Sequence, residues 1–332
     1  MIVVASPLRL SFLGGGTDYP SHFEQHGGCT LGTSIDRYVQ ITVSALSELV
    51  DHRYRVSYSR TELCSTIDEI EHPAVRECLR FLEVERPVEI NAISDLPART
   101  GLGSSSAFTV SLLHALHAFQ GRMVSQEQLA HEAVLIERRL VGDRVGVQDQ
   151  WTSALGGLLQ LELSAGDRVL PRPVVVDAAR QAALQERLLL FYTGQQRSSA
   201  EVLGEQVART QAGENHDALL KLQQLAQWGV EVLARGPELS PFGELLEEAW
   251  QVKRGLSSTV TNDEIDAAHV AAREAGALGG KLLGAGGGGF LLEYVEPYNH
   301  EAVTRALSSL PRVPFSFENQ GSRLVFFRPR PG

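Results

Sequence analysis

The chain has 332 residues, of which 43% are apolar and 21% charged, proportions that fit one or two globular domains and exclude disorder, collagen and coiled coil. Asp and Glu number 40 against 30 Lys and Arg, a net charge of −10. With no long basic run, that balance argues against nucleic acid or an anionic membrane as the main partner and leaves a small molecule.

The opening stretch MIVVASPLRLSFL is apolar, lacks a basic residue ahead of its apolar part, and reads as a strand rather than a signal peptide. It runs into Gly14-Gly15-Gly16, a tight loop. His22 and His26 follow at i, i+4, outside any H-E-x-x-H pattern, and read as part of a solvated loop. Residues 38–46 and 53–59 alternate as half-buried strands, and Val88–Ile93 is another, stopped at Asp95-Leu96-Pro97. A helix is expected from Ser104 to about Gln120, with Phe108, Leu112, Leu116 and Phe119 on one face. Ser125 and Gln128 form a capping box for a second helix ending near Gly142. Residues 164–184, with Pro171 and Pro173, read as a surface connection. A buried strand at 187–193 precedes helical patterns near 198–212, 215–235 and 242–254. Strands at 279–284 and 289–295 are joined by glycines, and a helix near 299–308 and a strand at 322–328 close the chain. The order lacks a clean βαβ alternation, so α+β is expected, in two domains covering 1–180 and 181–332.

Cys29, Cys64 and Cys78 are odd in number and contain no C-x-x-C pair, which speaks against a disulfide framework or zinc ribbon and fits a reducing cytoplasm. No apolar run reaches the roughly 18 residues of a membrane span.

Three segments carry chemistry. Gly101-Leu102-Gly103-Ser104-Ser105-Ser106 lies between a strand and a helix. A helix N-terminus offers free N–H groups and a positive dipole end, and glycines let an anion approach the backbone, so the segment reads as a phosphate cradle or as an ordinary capped helix. Gly284-Ala285-Gly286-Gly287-Gly288-Gly289 fits G-x-G-x-x-G, but a strand, FLLEYV, follows it instead of a helix, so a dinucleotide fingerprint is excluded and a hairpin is expected. Asp149, within QDQ at 148–150, is a base, a metal ligand or a surface cap.

Together, in this order, the segments resemble the GHMP kinases. Ser6–Tyr19 is similar to the first family motif, Leu96–Ala107 to the second and Gly279–Phe290 to the third. Within the family, GGGTD at 14–18, SYSRTE at 57–62, HPAVRE at 72–77, IER at 136–138 and YTGQQRSS at 192–199 look most like the branch acting on D-glycero-D-manno-heptose 7-phosphate. Galactokinases would carry Glu-His where Gly15-Gly16 stand.

The resemblance implies a ribosomal-protein-like α+β N-terminal domain, a ferredoxin-like C-terminal domain and a site between them. It implies ATP, with phosphates on Gly101, Leu102, Gly103, Ser104, Ser105 and Ser106, and Mg²⁺ held by Ser105 and Glu137. Asp149 would be base or charge partner of the acceptor hydroxyl, and Arg9 its neutralising neighbour. Asp18, Gly16, Thr17, Gly146, Arg197, Gly286 and Gly287 would line the sugar-phosphate site. The implied reaction is phosphorylation of O1 to the 1,7-bisphosphate. The alternatives are a fucokinase-like or octose 1-kinase, or a regulator that binds sugar or nucleotide without turnover. One departure is visible: Pro97-Ala98-Arg99-Thr100 stands where relatives have Pro-Pro-Gly or Pro-x-Gly.

Overall fold

The computed structural model describes residues 1–47, 49–194 and 199–328. The first strand, β1 (Ile2–Leu13), is buried along almost its whole length, and α1 (Pro20–His26) separates it from β2 (Gly28–Ala45). The two strands pair antiparallel from Ile2 with Val43 to Leu13 with Leu31. Their register slips at Pro7/Leu8, where proline has no N–H for the ladder. Then come β3 (Tyr54–Ser57), β4 (Thr61–Cys64), α2 (Pro73–Phe81) and β5 (Val88–Ser94). The central helices are α3 (Ser104–Phe119), α4 (Gln126–Leu135) and α5 (Gln148–Leu155). A π-helical turn, Ile136–Val141, continues α4.

Beyond α5 run β6 (Leu158–Ser164), β7 (Arg168–Pro173), α6 (Ala178–Glu186) and β8 (Leu188–Tyr192). Four helices follow: α7 (Ser199–Gln211), α8 (His216–Arg235), α9 (Ser240–Arg254) and α10 (Asp263–Glu274). The chain ends in β9 (Ala277–Leu282), β10 (Phe290–Val295), α11 (His300–Ala306), β11 (Phe317–Glu318) and β12 (Arg323–Phe327).

The large sheet has the order β12-β1-β2-β5-β3-β4, with β3 parallel to β5. The long β2 serves two ladders: its second half pairs β5, and its first half, Gly28–Thr33, pairs β6, which carries β7 at its outer edge. A second, antiparallel sheet has the order β8-β10-β9. Helix α3 covers β1 and β2, α9 covers β9, and α8 reaches back to β2, so one face of the small sheet joins the main core, while Leu189, Phe191, Leu291 and Val295 on its other face form a second cluster with Ala272 and Val303. The last strands return to the large sheet, β11 to β2 and β12 to β1. The α+β expectation holds.

Several local expectations change. Residues 164–184 are not a bare connection: they hold β7 and most of α6. The prolines of β7 are tolerated because that strand pairs only with β6, and α6 is capped by Asp177, which accepts from the Arg180 N–H. His22 does not lie in a solvated loop. It sits in α1, 1% exposed, and burial first and His26 second pull its imidazole down to about 4. Helices α2 and α10 escape the periodicity reading, although Pro73 at the start of α2 and the Asn262 cap of α10, which accepts from Ile265 N–H, are both ordinary start signals.

Candidate active site

Arg9 points from β1 into the junction of the two halves. Its Nε donates to Asp149 Oδ1 at 2.7 Å and its Nη2 to Asp149 Oδ2 at 2.9 Å, while Nη1 donates to the Gly101 carbonyl at 2.5 Å. Arg9 is 4% exposed, whereas the Asp149 side chain is 31% exposed, so the carboxylate has a buried edge on arginine and an open edge toward solvent. Asp149 lies in the first turn of α5.

Behind the pair stands Gly103, with φ +74°; a Cβ there would come 3.2 Å from Arg9 Cγ and 3.3 Å from Asp149 Cγ. Helix α3 begins directly after it, with Gly103 as N-cap and no side chain capping the first turn. The N–H groups of Ser104, Ser105 and Ser106 therefore open on the same place as the ion pair, which is the physical requirement of the cradle reading. The loop 100–101 is itself covered backbone to backbone by the third glycine segment. A Cβ on Gly284 would fall 2.4 Å from Gly101 Cα, and one on Gly289 would fall 2.2 Å from the Thr100 carbonyl oxygen. The hairpin expected at 284–289 thus presses on the cradle. Gly287 N–H donates to the Val260 carbonyl at 2.9 Å, and a Cβ on Gly286 would fall 2.6 Å from that same oxygen.

Asp18 is buried beside these groups. Its Oδ1 accepts from Gly16 N–H at 3.1 Å and its Oδ2 from Gln148 N–H at 3.3 Å. Gly146 passes so close that a Cβ there would sit 1.9 Å from Oδ2. Burial first, then the Asp149 carboxylate, raise its pKa, against the pull of those N–H groups. Thr17 turns its hydroxyl inward, donating to the Gly14 and Cys29 carbonyls, and so holds the loop that carries Asp18. Arg197 lies outside the described residues.

Glu137 projects from the π-helical turn and is 2% exposed. It accepts from Ser106 Oγ at 2.9 Å, Thr109 Oγ1 at 2.7 Å and Gln150 Nε2 at 2.5 Å. Burial pushes its carboxyl up to about 7, and the three donors offset part of that cost. Ser105 is exposed on the first turn of α3, and the hydroxyl bonded to Glu137 there is that of its neighbour, Ser106. The donor types fit Mg²⁺, a hard cation served by hydroxyl, carboxylate, phosphate and water. Among the described residues no cluster of three or more His, Cys, Asp or Glu offers a cage of its own, so a cation held here would need most of its ligands from phosphate and water.

Two buried lysines escape the sequence reading. Lys253 of α9 donates to the Gly284 carbonyl, and Lys281 of β9 donates to the Phe12 carbonyl at 2.7 Å. The signal was present: Lys253 falls on the apolar face formed by Phe242, Leu246, Ala249 and Trp250, where a charge is unexpected.

Residues 70–157 match the GHMP kinases N terminal domain and residues 231–310 match GHMP kinases C terminal. The chain is 26% identical over 311 residues to a D-glycero-alpha-D-manno-heptose 7-phosphate kinase of Campylobacter jejuni, covering 91% of each chain. It is also 26% identical over 318 residues to a bifunctional fucokinase/GDP-fucose pyrophosphorylase of Arabidopsis thaliana, covering 87% of this chain and 29% of that one. A crystal structure of a D-glycero-D-manno-heptose 1-phosphate kinase from Bacteroides thetaiotaomicron superposes with a TM-score of 0.80 at 25% identity, covering 99% of this chain and all of the other. With both domain matches in order and a bidentate arginine–aspartate pair at the mouth of the glycine cradle, the chain belongs to the GHMP kinase family and is an ATP-dependent phosphotransferase.

Proposed function

We propose that the chain is a sugar kinase that transfers the γ-phosphoryl group of Mg-ATP to O1 of D-glycero-D-manno-heptose 7-phosphate, giving the 1,7-bisphosphate. The observation that carries the reading is the convergence of Asp18, Asp149 and Arg9 at the open start of α3. Phosphoryl transfer asks mainly for positioning and charge neutralisation, and this arrangement offers both.

In this account the N–H groups at 104–106 and the loop 101–103 bind nucleotide phosphates. The outward edge of Asp149 accepts the hydrogen bond of the acceptor hydroxyl and receives its proton as the new oxygen–phosphorus bond forms and the bond to the leaving ADP breaks. Arg9 holds the carboxylate in one orientation through two charge-assisted bonds. Asp18, whose oxygens each retain a lone pair beyond the backbone bonds, accepts sugar hydroxyls. Ser105 and Glu137 are the proposed protein ligands of Mg²⁺, which would supply charge neutralisation on the phosphates. Gly146 leaves room for the Asp18 carboxylate, which a Cβ there would strike, and Thr17 shapes the loop that carries Asp18; Gly16, Gly286 and Gly287 are assigned to the acceptor site by family likeness. The reducing cytoplasm is the proposed location, in keeping with three free, buried cysteines.

The names of the relatives differ over the acceptor: one is a 7-phosphate kinase and another a 1-phosphate kinase. The test is the product. Phosphorylation of the 7-phosphate at O1 removes its reducing end, so a reducing-sugar assay should fall in step with ADP release. A reducing end that survives turnover places the new phosphate elsewhere. A second reading, a 1-kinase of an unphosphorylated sugar, is favoured by the equal identity to the fucokinase relative.

A further inference from the structure

The kinase reading leaves two buried lysines without a role, and Lys253 is the one that touches the glycine hairpin over the cradle. Lys253 is 6% exposed, and its Nζ donates to the Gly284 carbonyl. Gly284 rests on Gly101, whose carbonyl accepts from Arg9 Nη1, and Arg9 grips Asp149. An unbroken line of contacts therefore runs from α9 in the C-terminal half to the carboxylate at the cradle.

The charges along that line do not balance. Arg9 on β1, Lys253 on α9 and Lys281 on β9 are all buried, and they face two carboxylates, Asp18 in the loop after β1 and Asp149 on α5. Asp149 is already committed to Arg9 on both oxygens, and Asp18 accepts two backbone N–H groups. Burial and Arg9 pull the Lys253 ammonium down to about 8 in spite of Asp18 and Asp149. Burial, Lys253 and Arg9 hold Lys281 well below the ordinary lysine range. A buried excess of positive charge is costly until an anion joins it.

The composition sharpens the point. Only Lys221, Lys253 and Lys281 are lysines among the 30 basic residues. An arginine-rich chain thus places two of its three lysines at this junction. An ammonium gives a compact point charge with three donors, and one hydrogen bond of Lys253 is seen among the described residues.

We propose that Lys253 is a further catalytic residue: its remaining N–H donors contact the phosphoryl group during transfer, from the C-terminal half, and Arg9 supplies positive charge from the N-terminal half. This rests on the kinase reading. The bonds made and broken are those already given; Lys253 keeps its proton throughout and stabilises oxygen charge only.

The test compares wild type, Lys253→Met and Lys253→Arg as full chains, with Mg-ATP and the heptose 7-phosphate. Lys253→Met should lower kcat roughly 100-fold, the scale of losing one preorganised donor, with the KM of the acceptor little changed. Lys253→Arg should recover most of that loss. In wild type, kcat/KM for ATP should fall above pH about 8 as Lys253 loses its proton, and this limb should vanish in Lys253→Arg, because arginine stays charged. A clamp on Gly284 alone predicts no such change in the pH profile.

A folded Lys253→Met enzyme with kcat within about threefold of wild type overturns the proposal, as does an alkaline limb that persists in Lys253→Arg. If Lys253→Met does not fold, the limb in Lys253→Arg decides. If wild type turns over no acceptor, the kinase reading has failed, and binding then decides the role of the lysine. A non-hydrolysable ATP analogue should lose about tenfold of its advantage over ADP in Lys253→Met but not in Lys253→Arg. An unchanged ratio refutes the contact.

Discussion

Arg9 and Asp149 meet in a two-point ion pair across 140 residues of chain, tying the first strand to the first turn of α5. The carboxylate keeps one edge exposed, so the pair is a platform rather than a closed salt bridge. A planar guanidinium imposes a direction on its partner that an ammonium does not.

Asp149→Asn should therefore fold, since the amide retains one acceptor for Arg9, yet lose at least ~100-fold in kcat, because neither a base nor a charged hydrogen-bond acceptor remains. Steady-state ADP release together with a melting curve checks both halves. Full activity in this variant would remove Asp149 from the mechanism. Arg9→Lys should also lose activity, since one point charge cannot reproduce the fork to Asp149 and the bond to Gly101.

Ser105→Ala should raise the Mg²⁺ concentration needed for half-maximal activity, as should Glu137→Gln, because each removes one of few protein ligands. Ser106→Ala provides the contrast. Its hydroxyl donates to Glu137 in the protein itself, so its loss should act on stability by about 1–2 kcal/mol through an underserved buried carboxylate. If Ser106→Ala shifts the Mg²⁺ requirement and Ser105→Ala does not, the ligand sits one residue further along α3.

Arg99 occupies the left-handed region at φ +62°, where a side chain is strained and glycine is not. Arg99→Gly should stabilise the fold by up to ~1 kcal/mol, the strain relief less the entropy glycine adds to the unfolded chain. A higher melting temperature with an unchanged KM for ATP is expected. A raised KM would mean that the guanidinium binds phosphate and that the strain is kept for that purpose.

His269 of α10 bridges Glu293 of β10 at 2.8 Å and Glu247 of α9 at 2.9 Å. Burial draws the imidazole down, but the two carboxylates outweigh it and lift its pKa to about 9. A group whose folded pKa lies above its unfolded value of about 6.5 stabilises fully below that pH and loses its contribution as pH climbs through 9. Glu293, lifted to about 7 first by burial, acts in the same direction between roughly 4.5 and 7. The melting temperature of wild type should exceed that of His269→Gln at pH 6, and the gap should narrow steadily toward pH 9.5. A gap independent of pH would show that His269 is neutral in the fold.

Much of the site was legible because its chemistry is written in contiguous glycine and serine runs, which have few other uses together. The cradle, the hairpin pressing on it and the strand with Arg9 follow from residues a few positions apart. What local patterns do not supply is long-range. The Arg9–Asp149 pairing rested on family likeness, since no local pattern links positions 140 apart. Asp149 sat next to Gly-rich turns in sequence, and its helix has only eight residues, too short for a periodic signal. The first half of β2 was unread because Gly28, Thr30 and Gly32 weaken its apolar alternation, and tertiary pairing with β1 and β6 overrides that weakness. A lysine on a helix is normally a surface residue, so the one sequence signal for Lys253, its place on the apolar face of α9, is weak until the packing of α9 on β9 buries it.

The central claim is the acceptor, and kcat/KM for ADP release from Mg-ATP tests it most directly. D-glycero-D-manno-heptose 7-phosphate, D-glycero-D-manno-heptose 1-phosphate and L-fucose should be compared in one series. The 7-phosphate should lead both others by at least ~100-fold, the discrimination expected when a site built to bind a polar group meets a substrate lacking it. A preference for the 1-phosphate or for fucose would contradict the account, leaving a kinase of the family with a different acceptor.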